Sequence, residues 1–183
     1  MTFSLSCISQ ETKRIILKKI NISHLDAFHS YSLQEKIYTH LEFPPFKDIA
    51  DTEKYINKLK LRISSGKADY RFLFLKNTNT LVGLFGFHSY DDYRRSVEFG
   101  YGVSPSYQDR GIFTEVGSHI ISSLFKKTNI QRIFALTSVD NIPSIKSISK
   151  LGFQKEGILK DYYLKDKVFY NAYLAAIVRS DIK

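Results

Sequence analysis

Ser96-Val97-Glu98-Phe99-Gly100-Tyr101-Gly102-Val103, followed at once by Ser104-Pro105-Ser106-Tyr107-Gln108-Asp109-Arg110-Gly111-Ile112-Phe113-Thr114-Glu115, is the stretch from which the fold is read. Its first half alternates with the period of a strand. Val97, Phe99, Tyr101 and Val103 fall on one face, and Glu98, Gly100 and Gly102 on the other. Two glycines beside a carboxylate predict either bare backbone that another group can approach closely, or a bulge or kink with Glu98 solvated at an edge. The second half is a basic, glycine-containing turn opening a helix. Such a turn offers free N–H groups and the positive end of the helix dipole, which suits a pyrophosphate. Other phosphate and nucleophile motifs fail. No G-x-x-x-x-G-K-[ST] occurs, Gly100-x-Gly102 lacks a third glycine and runs into Pro105, and no G-x-S-x-G elbow is present.

Working outward, Arg14–Ile20 reads as a strand, and Ser23 as the N-cap of a helix reaching about Ile37. Phe43-Pro44-Pro45-Phe46 is non-helical, because a residue before proline is driven to extended geometry. A second amphipathic helix starts near Ala50, carries Tyr55, Ile56, Leu59 and Ile63 on one side, and is closed by Gly66. Tyr70–Lys76 and Leu81–His88 are strands at hairpin spacing with Ser96–Val103. The period turns helical over Gly111–Lys127 and returns to strand at Arg132–Val139, which is apolar at both parities, as in a strand buried on both faces. Ile142, Ile145, Ile148 and Leu151 mark a short helix with Asn141 as N-cap and Gly152 as stop. Strands at Phe153–Tyr163 and Val168–Val178 finish the chain. The pattern β-α-α-β-β-β-α-β-α-β-β predicts a mixed sheet with helices packed on it. No linker or repeat divides residues 1–183, so one domain is expected.

Composition narrows the function classes. With 43% hydrophobic residues, 14 Phe and 12 Tyr, the chain has the apolar mass for a packed core. A single cysteine, Cys7, excludes a disulfide framework, and the five histidines show no H-x-x-x-H pairing, so no metal site is expected. Cys7 lies in a start expected to fray. No apolar run approaches the roughly 20 residues that span a bilayer, and Met1–Gln10 lacks the pattern of a secretion signal. A soluble protein of a reducing compartment, the cytoplasm, is expected, without a membrane partner. The net charge of +9 fits nucleic acid or an anionic cofactor. The cations are scattered with no run longer than two and no stripe interleaved with stacking aromatics, so charge alone does not argue for a nucleic-acid partner.

Val103 followed by Gln108-Asp109-Arg110-Gly111-Ile112-Phe113 resembles the acetyl-CoA signature of the GNAT N-acetyltransferases, Q/R-x-x-G-x-G/A after a strand ending in Val. Asn141-Ile142-Pro143-Ser144, with Leu151-Gly152-Phe153 and Glu156-Gly157 downstream, resembles that superfamily's second motif. Glu98-Phe99-Gly100-Tyr101 resembles the E-I-G-Y element of its ribosomal-protein (RimJ/RimL-type) branch. The resemblance spans nearly the whole chain. It implies a mixed α/β (α+β) acyl-CoA N-acyltransferase fold: a mostly antiparallel central sheet of about seven strands, with a parallel, splayed fourth and fifth strand, flanked by about four helices. Phe113 departs from the pattern, standing where the third small residue of the phosphate loop is usual.

The resemblance also implies chemistry: transfer of acetyl from acetyl-CoA to a primary amine by direct attack in a ternary complex. Pantetheine would lie along the backbone of Tyr101, Gly102 and Val103, and Asn141 would reach its arm. The pyrophosphate would sit on Gln108, Asp109, Arg110, Gly111, Ile112, Phe113 and Thr114. Glu98 is placed to accept the amine's proton. Ser144 matches the serine that some of the branch set near the sulfur, as acid or hydrogen-bond donor to the thiolate, with Tyr107 second. Many relatives instead carry a tyrosine seven residues after the asparagine, where this chain has Ile148. The sixth-strand carboxylate of some relatives falls in Asp161-Tyr162-Tyr163. His88 is a candidate for lining the acceptor site, and His119 is expected to be partly buried. The best-matched branch acts on protein N-terminal α-amines. A small-molecule acceptor (polyamine or antibiotic) and a non-catalytic acyl-CoA-binding module stay open, as do monomer and homodimer.

Overall fold

The computed structural model describes residues 4–182. Its strands are β1 (Ile15–Lys19), β2 (Asp69–Leu75), β3 (Leu81–Phe87), β4 (Ser96–Val103), β5 (Arg132–Ser138), β6 (Gln154–Lys165) and β7 (Val168–Val178). Its α-helices are α1 (Leu25–Ser32), α2 (Ile49–Ser64), α3 (Ile112–Lys127) and α4 (Ile142–Lys150). The strands form one seven-stranded sheet in the order β1-β2-β3-β4-β5-β7-β6. Every neighbouring pair is antiparallel except β4 and β5, which run parallel.

Alternation along β2 shows how the layers form. Leu73 faces a core built with Phe85, Val97, Phe99, Ile133 and the inner side of α3 (Ile112, Val116, Ile120, Leu124). Tyr70, Phe72 and Phe74 face a second core with Phe28 and Tyr31 of α1 and Ile56 and Leu59 of α2. Helices therefore cover both faces, and β2, buried nearly throughout, has no solvated side.

The parallel pair is short. Ser96 pairs with Arg132, Val97 with Ile133 and Glu98 with Phe134. Beyond Glu98, β4 keeps its bonds to β3, from Phe87↔Phe99 to Gly83↔Val103. Strand β5 follows β7 instead, through to Ser138↔Ala172. The two strands consequently part, as expected, and leave one edge of Phe99–Val103 without a strand partner.

Two expectations are corrected. The first helix does not reach Ile37, and Ser23 does not cap it. Asn21 Oδ1 accepts from the Ser23 N–H (2.9 Å) at a 3₁₀ turn over Ile22–His24, and α1 stops at Ser32. There the Tyr38 hydroxyl donates to the Ser32 carbonyl (2.8 Å), and Gln34 Nε2 to the Tyr31 carbonyl (3.1 Å), so side chains satisfy the last turn in place of further helix. From Ser4 onward the start does not fray either; Met1–Phe3 lie outside the described residues. Leu5 is buried and its N–H donates to Asp69 Oδ2 (2.8 Å), while Gln10 Nε2 donates to the Leu5 and Ile8 carbonyls.

Helices α3 and α4 meet at Gly117, where a Cβ would press on the Leu151 side chain. Gly117→Val is expected to overpack this contact and cost about 1–3 kcal/mol. Urea unfolding should show a lower midpoint at unchanged slope.

Candidate active site

The parting of β4 from β5 sets the site, because it brings three sequence features to one cleft: the free edge of β4, the start of α3 and the start of α4.

At α3, Gly111 is the N-cap, with φ 71°, and Asp109 also has positive φ, 57°. The first closed helical bond is Glu115 N–H to Gly111 O (3.0 Å), so the N–H groups of Ile112, Phe113 and Thr114 point out of the helix start. Gln108 does not turn its side chain to this opening. Its Nε2 donates to the Val103 carbonyl (3.0 Å) and ties the turn to the end of β4. Arg110 is exposed, with its guanidinium 5.2 Å from the Tyr107 ring centre, so Tyr107 is a shelf for Arg110. Ile112 is a core residue. Phe113 turns inward and stacks on Tyr101 at 3.7 Å between ring centres, which is how a large residue fits where the pattern calls for a small one.

A clamp that the motif pattern does not contain holds this turn. Glu115 Oε2 accepts from Arg14 Nε (2.6 Å), and its Oε1 accepts from the Arg14 N–H (2.7 Å) and the Thr12 hydroxyl (2.6 Å). Arg14 Nη1 donates to the Arg110 carbonyl (2.8 Å). Residues about a hundred positions apart thus fix the loop. The only sequence signal is a charged pair flanking the first strand and the third helix, which periodicity cannot connect.

At α4, Asn141 caps the helix, its Oδ1 accepting from the Ser144 N–H (3.2 Å). Ser144 Oγ accepts from the Tyr101 hydroxyl at 3.2 Å. Burial pushes the Tyr101 phenol above its usual range, against hydrogen bonds with Ser144 and Ser147. Ile148 is 1% exposed within the main core and has no hydroxyl to offer.

The opposite face of β4 corrects the expectation of bare backbone. A Cβ on Gly100 would run into the His88 ring, and one on Gly102 would lie 2.6 Å from Tyr31 Oη. The glycines are required because these two side chains already occupy the space. His88 Nδ1 lies 3.2 Å from Tyr70 Oη, and burial, helped by the Arg62 charge, lowers its pKa to about 4, so the ring is neutral at pH 7. Glu98 is half-buried beside them. Burial raises its pKa, while the Ser89 hydroxyl (3.4 Å from Oε2) and Arg62 oppose the rise. The phenols of Tyr70, Tyr162 and Tyr163 all titrate against Glu98. Asp161 stands at a bulge of β6 with φ 49°, exposed, its N–H bonded to Asn171 Oδ1. His119 is partly buried as expected, with Nε2 at 2.9 Å from the Ser9 carbonyl.

Over this face the β6–β7 hairpin is latched to the segment after α1. The Leu164 N–H donates to Glu42 Oε1 (2.9 Å), and Lys165 Nζ to the Tyr38 and Thr39 carbonyls (2.8 and 2.9 Å). Tyr38, Phe43, Phe46 and Tyr55 form a connected set of rings behind that segment.

The clamp has a pH signature. The Glu115 carboxyl is pushed up by burial, but its bonds from Thr12 and Arg14 outweigh this, and the net pKa falls below the usual 4.5. A depressed carboxylate pKa adds stability above the unfolded value, and this is lost as pH falls through the folded value. Glu115→Gln should therefore melt lower than the wild type at pH 7, and the gap should close on acidification below pH 4.5.

Comparison with known proteins bears on this cleft. The "Acetyltransferase (GNAT) domain" family matches residues 14–154. The chain is 26% identical over 170 residues to the Bacillus licheniformis N-acetyltransferase p20, itself described as uncharacterized, covering 93% of this chain and 96% of that protein. It is 29% identical over 119 residues to the [ribosomal protein uS5]-alanine N-acetyltransferase of Escherichia coli, covering 63% of this chain and 60% of the other. Among solved structures, RimL, a ribosomal L7/L12 alpha-N-protein acetyltransferase in complex with coenzyme A, superposes with a TM-score of 0.83 at 20% identity, over 93% of this chain and 97% of that one. With a family match covering most of its length and the parted parallel strands in place, the chain belongs to the GNAT acetyltransferase family.

Proposed function

We propose that this enzyme transfers acetyl from acetyl-CoA to a protein N-terminal α-amine by direct attack in a ternary complex in the cytoplasm. The carrying observation is the fork after Glu98 and Phe134, which leaves that edge of Tyr101–Val103 without a strand partner among the described residues, beside the start of α3, with the Val103 carbonyl taken by Gln108 Nε2. Pantetheine takes the place of the missing strand on Tyr101, Gly102 and Val103. The residues Gln108, Asp109, Arg110, Gly111, Ile112, Phe113 and Thr114 form the pyrophosphate turn, in which the first-turn N–H groups hold the oxygens and Arg110 adds charge. Asn141, its Oδ1 committed to the cap, keeps its amide N–H₂ for the pantetheine arm.

An alkylammonium has a pKa near ~10 and must lose a proton before it can attack. Glu98 accepts that proton, and a half-buried carboxylate held above its ordinary pKa is a better base for the task than a solvated one. Attack on the thioester carbon expels the CoA thiolate, for which the Ser144 hydroxyl is the hydrogen-bond donor. The protein-acceptor reading draws support from the ribosomal-protein acetyltransferases among the relatives, and from an acceptor face built of Glu98, Glu42 and tyrosines, which suits a cationic chain end.

Thiol release from acetyl-CoA, measured against N-terminal peptides, polyamines and aminoglycosides, tests the acceptor class. N-terminal peptides are expected to give the fastest turnover, and release with the small amines alone would transfer the reading to them. Gly111→Asp sets a negative side chain among the phosphate oxygens, and calorimetry should show CoA binding greatly weakened. Glu98→Gln should slow kcat/KM about 10²–10⁴-fold with CoA affinity unchanged. Because the carboxylate is the active form, wild-type kcat/KM should fall on the acid side, and this limb should vanish in the variant. Near-wild-type activity across pH 6–10 would remove Glu98 as the base.

A further inference from the structure

We infer that the Tyr101 side chain is a positioning residue that aims the Ser144 hydroxyl at the departing thiolate of CoA, so that this donor is set from strand β4 and not from α4 alone. The inference rests on the reading of Ser144 given above and deepens it.

The geometry is compact. Tyr101 lies on the part of β4 that has left β5, and its hydroxyl reaches Ser144 Oγ across the cleft at 3.2 Å. The ring has little freedom to stray, being stacked on Phe113 at 3.7 Å with Phe99 at 5.7 Å on the same strand face. The next inward position of α4, Ile148, is packed into the core. Tyr101 thus brings a fixed phenol to the start of α4 from the opposite wall.

The consequence follows from what a serine hydroxyl can do. It has one proton and rotates freely unless a partner fixes it. Once Ser144 Oγ accepts from Tyr101, its own hydrogen must turn away from the phenol and is free for an acceptor in the cleft. Tyr101 is suited to donate without reacting. Burial holds its proton more tightly than the usual phenol, whereas a thiol ionises near ~8.5. Moving the Tyr101 proton to the thiolate is uphill, so both hydroxyls keep their protons. When the carbon–sulfur bond breaks, its electron pair stays on sulfur, held by Ser144 O–H. Two protons leave the nitrogen. The ammonium's first, taken by Glu98, is released to water. The second, lost as the carbon–nitrogen bond becomes an amide, passes through water to the CoA thiolate, which balances ammonium and acetyl-CoA against amide, CoA and one proton.

CoA alone is the probe, so the test needs no acceptor. Thiolate absorbance of CoA bound to the enzyme is titrated for the wild type, Tyr101→Phe, Ser144→Ala and the double variant. Tyr101→Phe keeps the ring and its stack, and unchanged CoA affinity at about pH 6, where the thiol is protonated, checks its fold. The bound thiol of the wild type should ionise below ~8.5. In Tyr101→Phe ionisation should move up by about one pH unit, a tenfold loss of thiolate stabilisation. Ser144→Ala should move it at least as far, and the double variant no further than Ser144→Ala. Wild-type titration in Tyr101→Phe, or the same upward step added on top of Ser144→Ala, overturns the positioning role while leaving Ser144 in place. Wild-type titration in Ser144→Ala removes Ser144 as the donor and this inference with it, and failure of the wild type to bind CoA removes the functional reading itself.

Discussion

Strand β4 has two hydrogen-bonding edges, and beyond Glu98 the sheet fills only one of them. Its backbone is claimed by β3 along Phe99–Val103 and by β5 only from Ser96 to Glu98. Strand β5 is meanwhile fully engaged by β7, from Arg132↔Val178 to Ser138↔Ala172. After Glu98 and Phe134 the two strands diverge, each staying with its outer neighbour, and their facing edges separate. Apart from the Val103 carbonyl, which accepts from Gln108 Nε2, the backbone groups on this edge of β4 have no strand partner among the described residues. Buried backbone polar groups are nearly always paired, so such an edge is tolerable only where water or a ligand completes it. The start of α3 and the cap of α4 open onto that gap, and Glu98 stands at the point where the strands part.

The two faces of β4 then divide the labour. On the α3/α4 face, Phe99, Tyr101 and Phe113 form a stacked set that ends in a hydroxyl beside Ser144. On the α1/α2 face, Gly100 and Gly102 admit His88 and Tyr31, an imidazole and a phenol that are uncharged at pH 7, the imidazole because burial lowers its pKa to about 4. Removing water from Glu98 without supplying a counter-charge in direct contact raises its proton affinity. Arg62, whose Nη2 lies 3.4 Å from the His88 carbonyl, tempers that rise but does not form an ion pair with Glu98 among those described. The same glycines that look like empty space in the sequence are therefore the means of desolvating the carboxylate.

Much of this is legible from period and punctuation. The succession of elements along the chain, the α3 and α4 segments, the Asn141 cap and the Gly152 stop, with Phe153 N–H bonded to the Ile148 carbonyl, follow from local chemistry. What local chemistry cannot give is who fills a space. Gly100 next to Glu98 reads equally well as an opening or as a seat for a ring, and only the neighbouring strand brings His88 there. The end of α1 escapes for a similar reason. Leu33 and Ile37 continue the helical period, but the terminating bond comes from Tyr38, whose hydroxyl reaches back to Ser32. Tyr101 reads as a core residue by its parity, and its polar end becomes meaningful only once Ser144 is across from it. The Arg14–Glu115 clamp joins two segments that no pattern links.

That clamp explains how the phosphate turn is held ready. Two residues of the turn, Asp109 and Gly111, adopt left-handed backbone, which for a non-glycine residue costs about 1 kcal/mol. A loose loop would relax this by exploring other conformations and would have to be reordered each time a ligand arrived. Here the Arg110 carbonyl is fixed from outside by Arg14, whose guanidinium is itself fixed by Glu115 in the first turn of α3. The acidic residue sits where a helix dipole favours it, and it is answered by Arg14 and Thr12, so its charge is spent away from the opening. The N–H groups of Ile112, Phe113 and Thr114 thus keep their positive potential for an incoming anion. The ordering is paid for at folding, by contacts that reach back to the first strand, and not at binding.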